Sequence, residues 1–409
     1  MSSQVVPMPP APASSAPAPA TPPTRPGNFV KRSSQGPFTL WCGLDLKGAL
    51  QMLRLRPKFS WNRAVRTALL PGSIAFNTVM EAWEKLRYGR QIAETKLPSA
   101  PLIILGHWRS GTTLLHNLLV ADQRYSFSNT YACLYPHHFL STESIVKPLT
   151  RWILPKSRPM DNMEVGWDVP QEDEIALCLL TMMSPYIMAL RADRPENYTR
   201  FFNPANMSES ERQTFLAAMK SFFQKLTIRD PRPLCLKSPG HTFRIPMLHE
   251  LFPDARYVFI HRDPYTVFNS GIHLRRTMNE ENSFGPNDQP NIENEVLDVL
   301  DDCFRTYEQD KHLIPEGRLY EMRYDTLDAN PLAEIERMYS ALDLGGFEEL
   351  RRTLEPKMKG VKEYKKNRYG EDRAKQQRIY ERLKPVYDRF GYPAPSERVI
   401  EQPAEQAVA

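Results

Sequence analysis

The segment Gly106-His107-Trp108-Arg109-Ser110-Gly111-Thr112-Thr113 carries the strongest structural signal in this 409-residue sequence. The apolar run 102–105 precedes it, and the run 114–120 that follows is typical of a helix. A strand, a glycine-bearing loop and a helix in this order predict a loop whose backbone N–H groups bind a phosphate-like anion. The two glycines have the spacing of a nucleotide-binding P-loop, but Thr112 stands where nucleoside triphosphatases place a lysine, and the basic residue is Arg109. We therefore expect a nucleotide whose transferable group is not a γ-phosphate.

A second anion-binding pattern follows the run 257–261, which is rich in β-branched and aromatic residues and predicts a buried strand. Pro264 suits the first turn of a helix, where its missing N–H costs nothing. Arg262 then lies at the end of the strand and Ser270 lies two turns into the helix. Both side chains are expected to reach one further phosphate.

Together the two patterns resemble those of the sulfotransferases that use 3′-phosphoadenosine 5′-phosphosulfate (PAPS). In that family a K/R-S-G-T-T loop binds the 5′-phosphosulfate, and an arginine and a serine separated by seven residues bind the 3′-phosphate. The resemblance implies that the 5′-phosphosulfate is bound by Arg109, Ser110, Gly111, Thr112 and Thr113. It implies that the 3′-phosphate is bound by Arg262 and Ser270.

Two shorter matches extend the resemblance to about residues 100–370. Tyr324 opens Y-D-T-L-D-A-N-P, similar to the family segment whose tyrosine contacts the adenine. Lys359 and Gly360 resemble the family's C-terminal loop that closes on the 3′-phosphate, although Met358 stands where the family has arginine. The combination of G-H-W-R-S-G-T-T, P-Q-E-D-E and L-K-S-P-x-H is most similar to a divergent, largely bacterial branch.

Runs at 102–105, 125–130, 235–237, 256–261 and 319–324 predict strands separated by helical segments. Such alternation favours a parallel sheet covered on both faces. The expected fold class is therefore α/β: a P-loop-like parallel sheet flanked by helices, with a helical N-terminal extension and a helical acceptor subdomain. We expect a long loop at 279–296.

Composition divides the chain into four parts. Residues 1–37 are rich in proline and alanine and predict a disordered tail, and residues 38–99 predict a basic helical extension. The sulfotransferase-like domain is expected at 100–390, and a flexible tail at 391–409.

The net charge of +5 suits a polyanionic co-substrate but is too small to indicate nucleic-acid binding. The five cysteines have neither metal-binding nor redox spacing, which favours reduced thiols and a cytoplasmic protein. The sequence has no apolar run long enough for a transmembrane helix. Basic and apolar residues alternate between Phe38 and Leu70, a pattern compatible either with contact to an anionic membrane surface or with a packed helix whose charges are solvated.

Sulfuryl transfer requires cradled phosphates, positive charge on the sulfonate and a base near the acceptor hydroxyl, and in principle no metal. The resemblance assigns the loop cation to Arg109. Lys237, in L-K-S-P-G-H, nearly matches the active-site lysine of the cytosolic enzymes, and it is expected at the carboxyl end of a strand.

The general base is less clearly marked, because the family histidine is replaced by Pro239. The acids of P-Q-E-D-E precede an apolar helix and are expected to face a cleft, although carboxylates also suit any helix N-terminus. We rank Glu172 and Glu174 first, His241 second, and His137 or His138 third.

The sequence thus predicts PAPS-dependent transfer of a sulfonate group to an acceptor hydroxyl on a small molecule, lipid or carbohydrate. Two alternatives remain open at this point, a P-loop small-molecule kinase and a non-catalytic nucleotide-binding or membrane-associated protein.

Overall fold

The computed structural model describes residues 38–150, 166–361 and 372–397, without the side chains of 357–361. Its centre is a parallel sheet of four strands in the order β2-β1-β3-β4, with β1 (Leu102–Leu105), β2 (Cys235–Lys237), β3 (Arg256–His261) and β4 (Leu319–Arg323). The register pairs Ile104 with Lys237 and with Val258, so the carboxyl ends of the strands lie at one edge.

The sheet is covered on both faces because successive side chains of a strand point to opposite sides. Ile103 and Leu105 pack into one hydrophobic cluster, whereas Leu102 and Ile104 pack into another. All four side chains are fully buried. The predicted fold class, a parallel sheet flanked by helices, is confirmed.

Among the described residues, two α-helices precede β1 and five lie between β1 and β2. They are α1 (Leu46–Arg54), α2 (Ala64–Glu94), α3 (Thr112–Leu119), α4 (Thr130–Leu134), α5 (Phe139–Thr150), α6 (Asp173–Thr181) and α7 (Glu209–Arg229). Short 3₁₀ turns, including Pro185–Ala189, connect α6 to α7.

The remaining helices connect and cover the later strands. They are α8 (Ile245–Leu251), α9 (Pro264–Asn282), α10 (Ile292–Asp310), α11 (Tyr324–Ala329), α12 (Pro331–Ala341), α13 (Phe347–Val361) and α14 (Arg373–Phe390). No helix among the described residues is long and apolar enough to cross a membrane.

Two expectations for secondary structure are wrong. The run 125–130 forms only two isolated bridges, Ser126 with Leu234 and Asn129 with Pro170, because Asn129 caps α4 with its side chain and ends the extended segment. The loop expected at 279–296 is shorter, since α9 continues to Asn282 and α10 begins at Ile292.

Candidate functional site

The loop between β1 and α3 has the backbone that a phosphate cradle requires. Gly106 and Gly111 have positive φ angles of 140° and 106°. A Cβ at Gly111 would lie 2.4 Å from the Tyr324 ring, and one at Gly106 would lie 2.4 Å from the Ile260 carbonyl oxygen. Only glycine fits at these two positions, and the loop directs the first N–H groups of α3 toward its own concave side.

The hydroxyl-bearing residues of the loop are buried or half-buried, and one of them is fixed by a hydrogen bond within the loop. The Ser110 hydroxyl donates to the His107 carbonyl oxygen at 2.7 Å, and both Ser110 and Thr112 are buried. Thr113 is half-buried in the first turn of α3. The loop is also joined to the segment after β2, because the Gly106 N–H donates to the Thr242 hydroxyl at 2.8 Å.

The two sequence patterns meet in space. Arg109, with a positive φ of 72°, donates from Nε to the Ser270 hydroxyl at 2.8 Å. Burial and the charges of Arg109 and Arg276 lower the pKa of the nearby His273. This end of α9 is therefore a region of positive potential that suits a phosphate.

Arg262 and Tyr324 form a stacked pair at the ends of β3 and β4. The Arg262 guanidinium lies 4.1 Å from the centre of the Tyr324 ring, a cation–π distance that holds the arginine in place. The Tyr324 ring in turn abuts Gly111. Tyr324 thus joins the two anion-binding patterns.

Lys237 and Glu172 face each other at the carboxyl end of β2. The Lys237 ammonium donates to Glu172 Oε1 at 2.8 Å and lies 3.5 Å from the Thr113 hydroxyl oxygen. The Lys237 side chain is only 2% exposed, whereas that of Glu172 is 16% exposed. Glu172, the residue that caps α6, is therefore a carboxylate at the border between protein and cleft.

Tyr186 and Trp108 complete this arrangement, and sequence reasoning did not find either role. The Tyr186 hydroxyl donates to Glu172 Oε2, and Trp108 Nε1 donates to the Tyr186 oxygen at 3.1 Å. Burial and the Glu172 charge raise the pKa of Tyr186 well above its usual value, so its phenol stays protonated and remains a donor. Tyr186 lies in a short 3₁₀ turn with no local pattern that could have marked it.

The structure corrects the expectation that Glu174 faces a cleft. Glu174 is fully buried, where it pairs with Arg244 and accepts a hydrogen bond from the Ser184 hydroxyl at 2.6 Å. Arg244 is fully buried as well. Glu172 precedes α6 with an extended backbone whereas Glu174 lies in its first turn, so the two carboxylates have different surroundings despite being two positions apart.

His241 is corrected in the same way. It is fully buried, and its Nε2 lies 2.8 Å from the Asp173 carboxylate, which is also fully buried. An acceptor hydroxyl cannot approach a ring enclosed in this manner. Glu172 is the one candidate base, of those named from the sequence, that the structure places beside Lys237.

His137 and His138 have structural surroundings. His138 lies between the Thr142 hydroxyl at 2.9 Å and the Asn77 amide oxygen at 3.0 Å. His137 belongs to a cluster with Asp45 and Glu81 whose ligand atoms lie within 4.8 Å of one another and could hold a metal ion.

One of the two acids in that cluster, Glu81, already has a cationic partner. The Lys85 ammonium lies 2.6 Å from Glu81 Oε1. Burial opposes ionisation of Glu81, but hydrogen bonds from His137 and Lys85 outweigh it and lower the pKa of Glu81 to about 2. The cluster joins α1, α2 and the turn before α5, away from the elements that carry the loop and Lys237.

An apolar pocket adjoins the Tyr186–Glu172 pair. Its walls come from the loop, the turn Pro185–Ala189, α9 and α10, and include Trp108, Met188, Phe202, Leu274, Met278 and Val299. Such a lining suits an apolar ligand. Tyr186 forms part of the wall, and its hydroxyl donates to Glu172.

The segment expected to close on the 3′-phosphate lies only partly within the described residues. Lys359 and Gly360 lie in the last turn of α13, where side chains are outside the described part of the chain, as are residues 362–371. Their predicted role stays a prediction.

Comparison with known proteins identifies the family. The family model described as "Sulfotransferase family" matches residues 101–349, more than half of the chain. The chain is 33% identical over 358 residues to proteins of Mycobacterium bovis and Mycobacterium tuberculosis, each named omega-hydroxy-beta-dihydromenaquinone-9 sulfotransferase Stf3. That match covers 86% of this chain and 91% of each relative.

Solved structures show the same fold. Sulfotransferase STF9 of Mycobacterium avium superimposes with a TM-score of 0.64 at 19% identity, covering 89% of this chain and 94% of that one. Sulfotransferase STF1 of M. tuberculosis superimposes with a TM-score of 0.55 at 17% identity, covering 84% and 87%. The family model spans both the loop and the Arg262–Ser270 pattern. This match excludes the alternative hypothesis of a P-loop small-molecule kinase. The chain belongs to the sulfotransferase family.

Proposed function

We infer that this protein is a PAPS-dependent sulfotransferase that transfers the sulfonate group to an acceptor hydroxyl by in-line attack. The observation that carries the inference is the convergence of groups at one edge of the sheet. The loop follows β1, Lys237 ends β2, Arg262 follows β3 and Tyr324 follows β4. In open α/β sheets, ligands bind at this edge.

The donor is assigned to the residues that the sequence marked. The 5′-phosphosulfate lies against the N–H groups and hydroxyls of Ser110, Gly111, Thr112 and Thr113. Arg109 and Arg262 supply positive charge, and Ser270 supplies a hydroxyl for the 3′-phosphate. Since Arg109 already contacts Ser270, Arg109 is assigned to both phosphate regions, and Tyr324 to the adenine and to the orientation of Arg262. Lys359 and Gly360 close this side of the nucleotide.

Glu172 is assigned as the general base. Its carboxylate accepts the proton of the acceptor hydroxyl while the acceptor oxygen bonds to sulfur and the bond from sulfur to the 5′-phosphate oxygen breaks. Lys237 stabilises the charge that develops on the sulfonate and the leaving oxygen. Lys237 can contact both the proposed base and the sulfonate bound at the loop, because its ammonium lies between Glu172 and Thr113.

The acceptor is assigned as an alcohol on an apolar chain. The pocket beside Tyr186 is lined mainly by apolar side chains, with His107 and Arg275 also in its wall, and we propose that the acceptor hydroxyl approaches Glu172 beside Tyr186. The M. tuberculosis relative is named for an omega-hydroxylated menaquinone derivative. We propose that the acceptor of this chain is likewise a lipid and that its hydroxyl is the group that is sulfated.

Calorimetric titration of the nucleotide tests the assignment. We expect 3′,5′-ADP to bind far more tightly than 5′-AMP or ATP, and the preference over 5′-AMP to fall about ten- to hundredfold in Arg262→Ala, because a charge-assisted phosphate contact is lost. Arg318→Ala is the matched control, since Arg318 precedes β4 at the opposite edge of the sheet and bonds the Pro253 carbonyl oxygen. Equal affinity for 3′,5′-ADP and 5′-AMP in the unmodified protein would refute PAPS dependence.

A further inference from the structure

The long helix α2 carries an exposed apolar stripe, which we call the α2 stripe. It consists of Val65, Leu69, Phe76, Val79, Trp83 and Leu86, with exposed fractions from 38% at Leu69 to 82% at Leu86. A helix packed on a protein core ordinarily turns polar residues to solvent. Here the opposite face, which includes Leu70 and Asn77, is the buried one.

The spacing of the stripe is regular. Its members alternate at steps of four and three residues, with Gly72 at the open position between Leu69 and Phe76. This period keeps every member on one side of the helix over about 30 Å. From Val65 to Trp83 no charged side chain is exposed, because Arg66 is buried and Glu81 is half-buried.

The neighbouring helices widen the apolar surface. Both α1 and α5 pack against α2. Leu46, Leu50 and Leu53 of α1 are each about half exposed, and Ile145 and Leu149 of α5 are exposed by 63% and 67%. Within the described residues, all large apolar side chains with high exposure lie between Phe38 and Leu149. A concentration of this kind marks an interaction surface rather than ordinary scatter.

Positive charge surrounds the stripe. Within 38–96 the exposed charged residues are eight basic ones against the single acid Glu94; three of the eight, Lys58, Lys85 and Arg90, are paired with carboxylates. The exposed basic residues are Lys47, Arg54, Arg56, Lys58, Lys85, Arg87, Arg90 and Lys96. A second copy of the chain seated on this surface would bring the same cations against these, which is unfavourable. An anionic lipid surface presents the complementary charge and accepts the apolar side chains.

Trp61 and Trp83 add a feature typical of lipid contact. Trp61, in the turn before α2, is 94% exposed, and Trp83 is 51% exposed. Tryptophan is favoured at the boundary between lipid headgroups and acyl chains, where its ring is partly apolar and its N–H remains solvated.

We propose that the α2 stripe and its basic rim dock the protein onto an anionic membrane surface, with the stripe inserted at the level of the headgroups. The docking surface lies on the N-terminal helices, apart from Glu172, Lys237 and the loop. The proposal concerns a lipid surface and does not depend on the nucleotide or acceptor that the enzyme uses.

Vesicle co-sedimentation of the full chain tests this docking. With the unmodified protein we expect strong binding to vesicles of phosphatidylglycerol and phosphatidylcholine, and weak binding to phosphatidylcholine alone. Leu69→Glu combined with Val79→Glu should reduce binding to the mixed vesicles about tenfold or more, because two exposed apolar side chains that would insert into the membrane are replaced by anions. Arg54→Glu should reduce it about fivefold or more and weaken its dependence on salt.

Two control variants isolate the surface from general effects of charge. Ala217→Glu lies on an exposed face of α7, and Arg352→Glu lies on an exposed face of α13. Both should bind the mixed vesicles as the unmodified protein does. Circular dichroism and binding of 3′,5′-ADP establish that each variant is folded, so loss of docking is distinguished from loss of structure.

Light scattering after size exclusion supplies the competing outcome. A monomer in solution that binds the mixed vesicles supports the proposal. A dimer that Leu69→Glu dissociates would assign the stripe to a second copy and overturn it. Failure of the unmodified full chain to bind phosphatidylglycerol-containing vesicles would overturn it too, as would unchanged binding in the Leu69→Glu, Val79→Glu variant.

Discussion

Glu172 and Glu174 are two positions apart, yet they belong to different regions of the molecule. Glu172 borders the cleft, between Lys237 and Tyr186. Glu174 lies in the layer behind, enclosed with Arg244. Each carboxylate has a basic partner, so pairing alone does not distinguish a reactive acid from a structural one.

Access is what separates the two regions. A buried ion pair offers no path for a substrate proton, and its charges must satisfy each other because water cannot. A carboxylate at the border can exchange its partner for a substrate. Lys237 and His241, on either side of Pro239, are both buried, but Lys237 pairs with the partly exposed Glu172 whereas His241 pairs with the fully buried Asp173.

The largest effect on activity is expected for Glu172, the carboxylate at the border of the cleft. Glu172→Gln should lower the rate of sulfonate transfer about 10²–10⁴-fold, because the amide cannot accept a proton. Affinity for 3′,5′-ADP should change little, whereas the free energy of unfolding should fall because the buried Lys237 ammonium loses its charged partner. Steady-state kinetics and calorimetry measure both; a variant with most of its activity would remove Glu172 from the role of base.

The same substitution in the layer behind should act on stability instead. Glu174→Gln leaves the buried Arg244 cation uncompensated, which is expected to lower the free energy of unfolding by about 3–5 kcal/mol. Urea denaturation provides the measurement. A stable but inactive Glu174→Gln would reverse our assignment of the two acids.

Acid should destabilise the folded chain through the buried His116. His116 is fully buried on α3, and burial and the Lys237 charge lower its pKa to about 3. The unfolded chain takes up a proton near the ordinary pKa of about 6.5 while the folded chain does not, so stability is lost as the pH falls between about 6.5 and 3.

For this one histidine the loss between pH 7 and pH 5 is expected to be about 2 kcal/mol. His116→Asn should flatten the pH dependence of the urea midpoint over that range, whatever its effect at pH 7. An unchanged slope would show that other groups control acid stability.

The smallest effect is expected for Tyr186, which touches the base without being one. Tyr186→Phe removes one hydrogen bond to Glu172 and should lower turnover by about tenfold or less, in line with about 1 kcal/mol for such a bond. Affinity for 3′,5′-ADP should be unchanged. A pH–rate profile whose acidic limb shifts in Tyr186→Phe is the signature of a positioning residue; an unshifted limb with normal turnover would show that Tyr186 only lines the pocket.

The fold could be predicted because its signals are local, and the same short segments carry the residues that we propose bind the nucleotide. A strand, a glycine loop and a helix are contiguous in 102–120, and the Arg262–Ser270 pattern lies within one turn-and-helix segment. In each segment the residue types are explained by the backbone conformation or the charge that the same segment needs.

The acceptor side could not be predicted equally well, because its partners are distant in sequence. Glu174 with Arg244 and His241 with Asp173 are pairs nearly 70 residues apart. Apolar residues following P-Q-E-D-E indicated a buried helix, but the position of the helix start, which leaves Glu172 at the cleft and Glu174 inside, becomes visible only with the surrounding elements in place. The strand expected at 125–130 failed for a related reason, since its paired residues meet other segments at single positions.

Pro239, which replaces the family histidine, has a consequence for how this enzyme could diversify. With Glu172 as the proposed base, proton abstraction is supplied by the start of α6, on the same side of the molecule as the turn Pro185–Ala189 that walls the apolar pocket. The proposed base and the acceptor pocket would then change together, because one segment supplies both. The sheet edge proposed to bind the nucleotide would stay the same. Exchange of residues 166–190 between related chains should therefore carry acceptor preference with it and leave the donor unchanged.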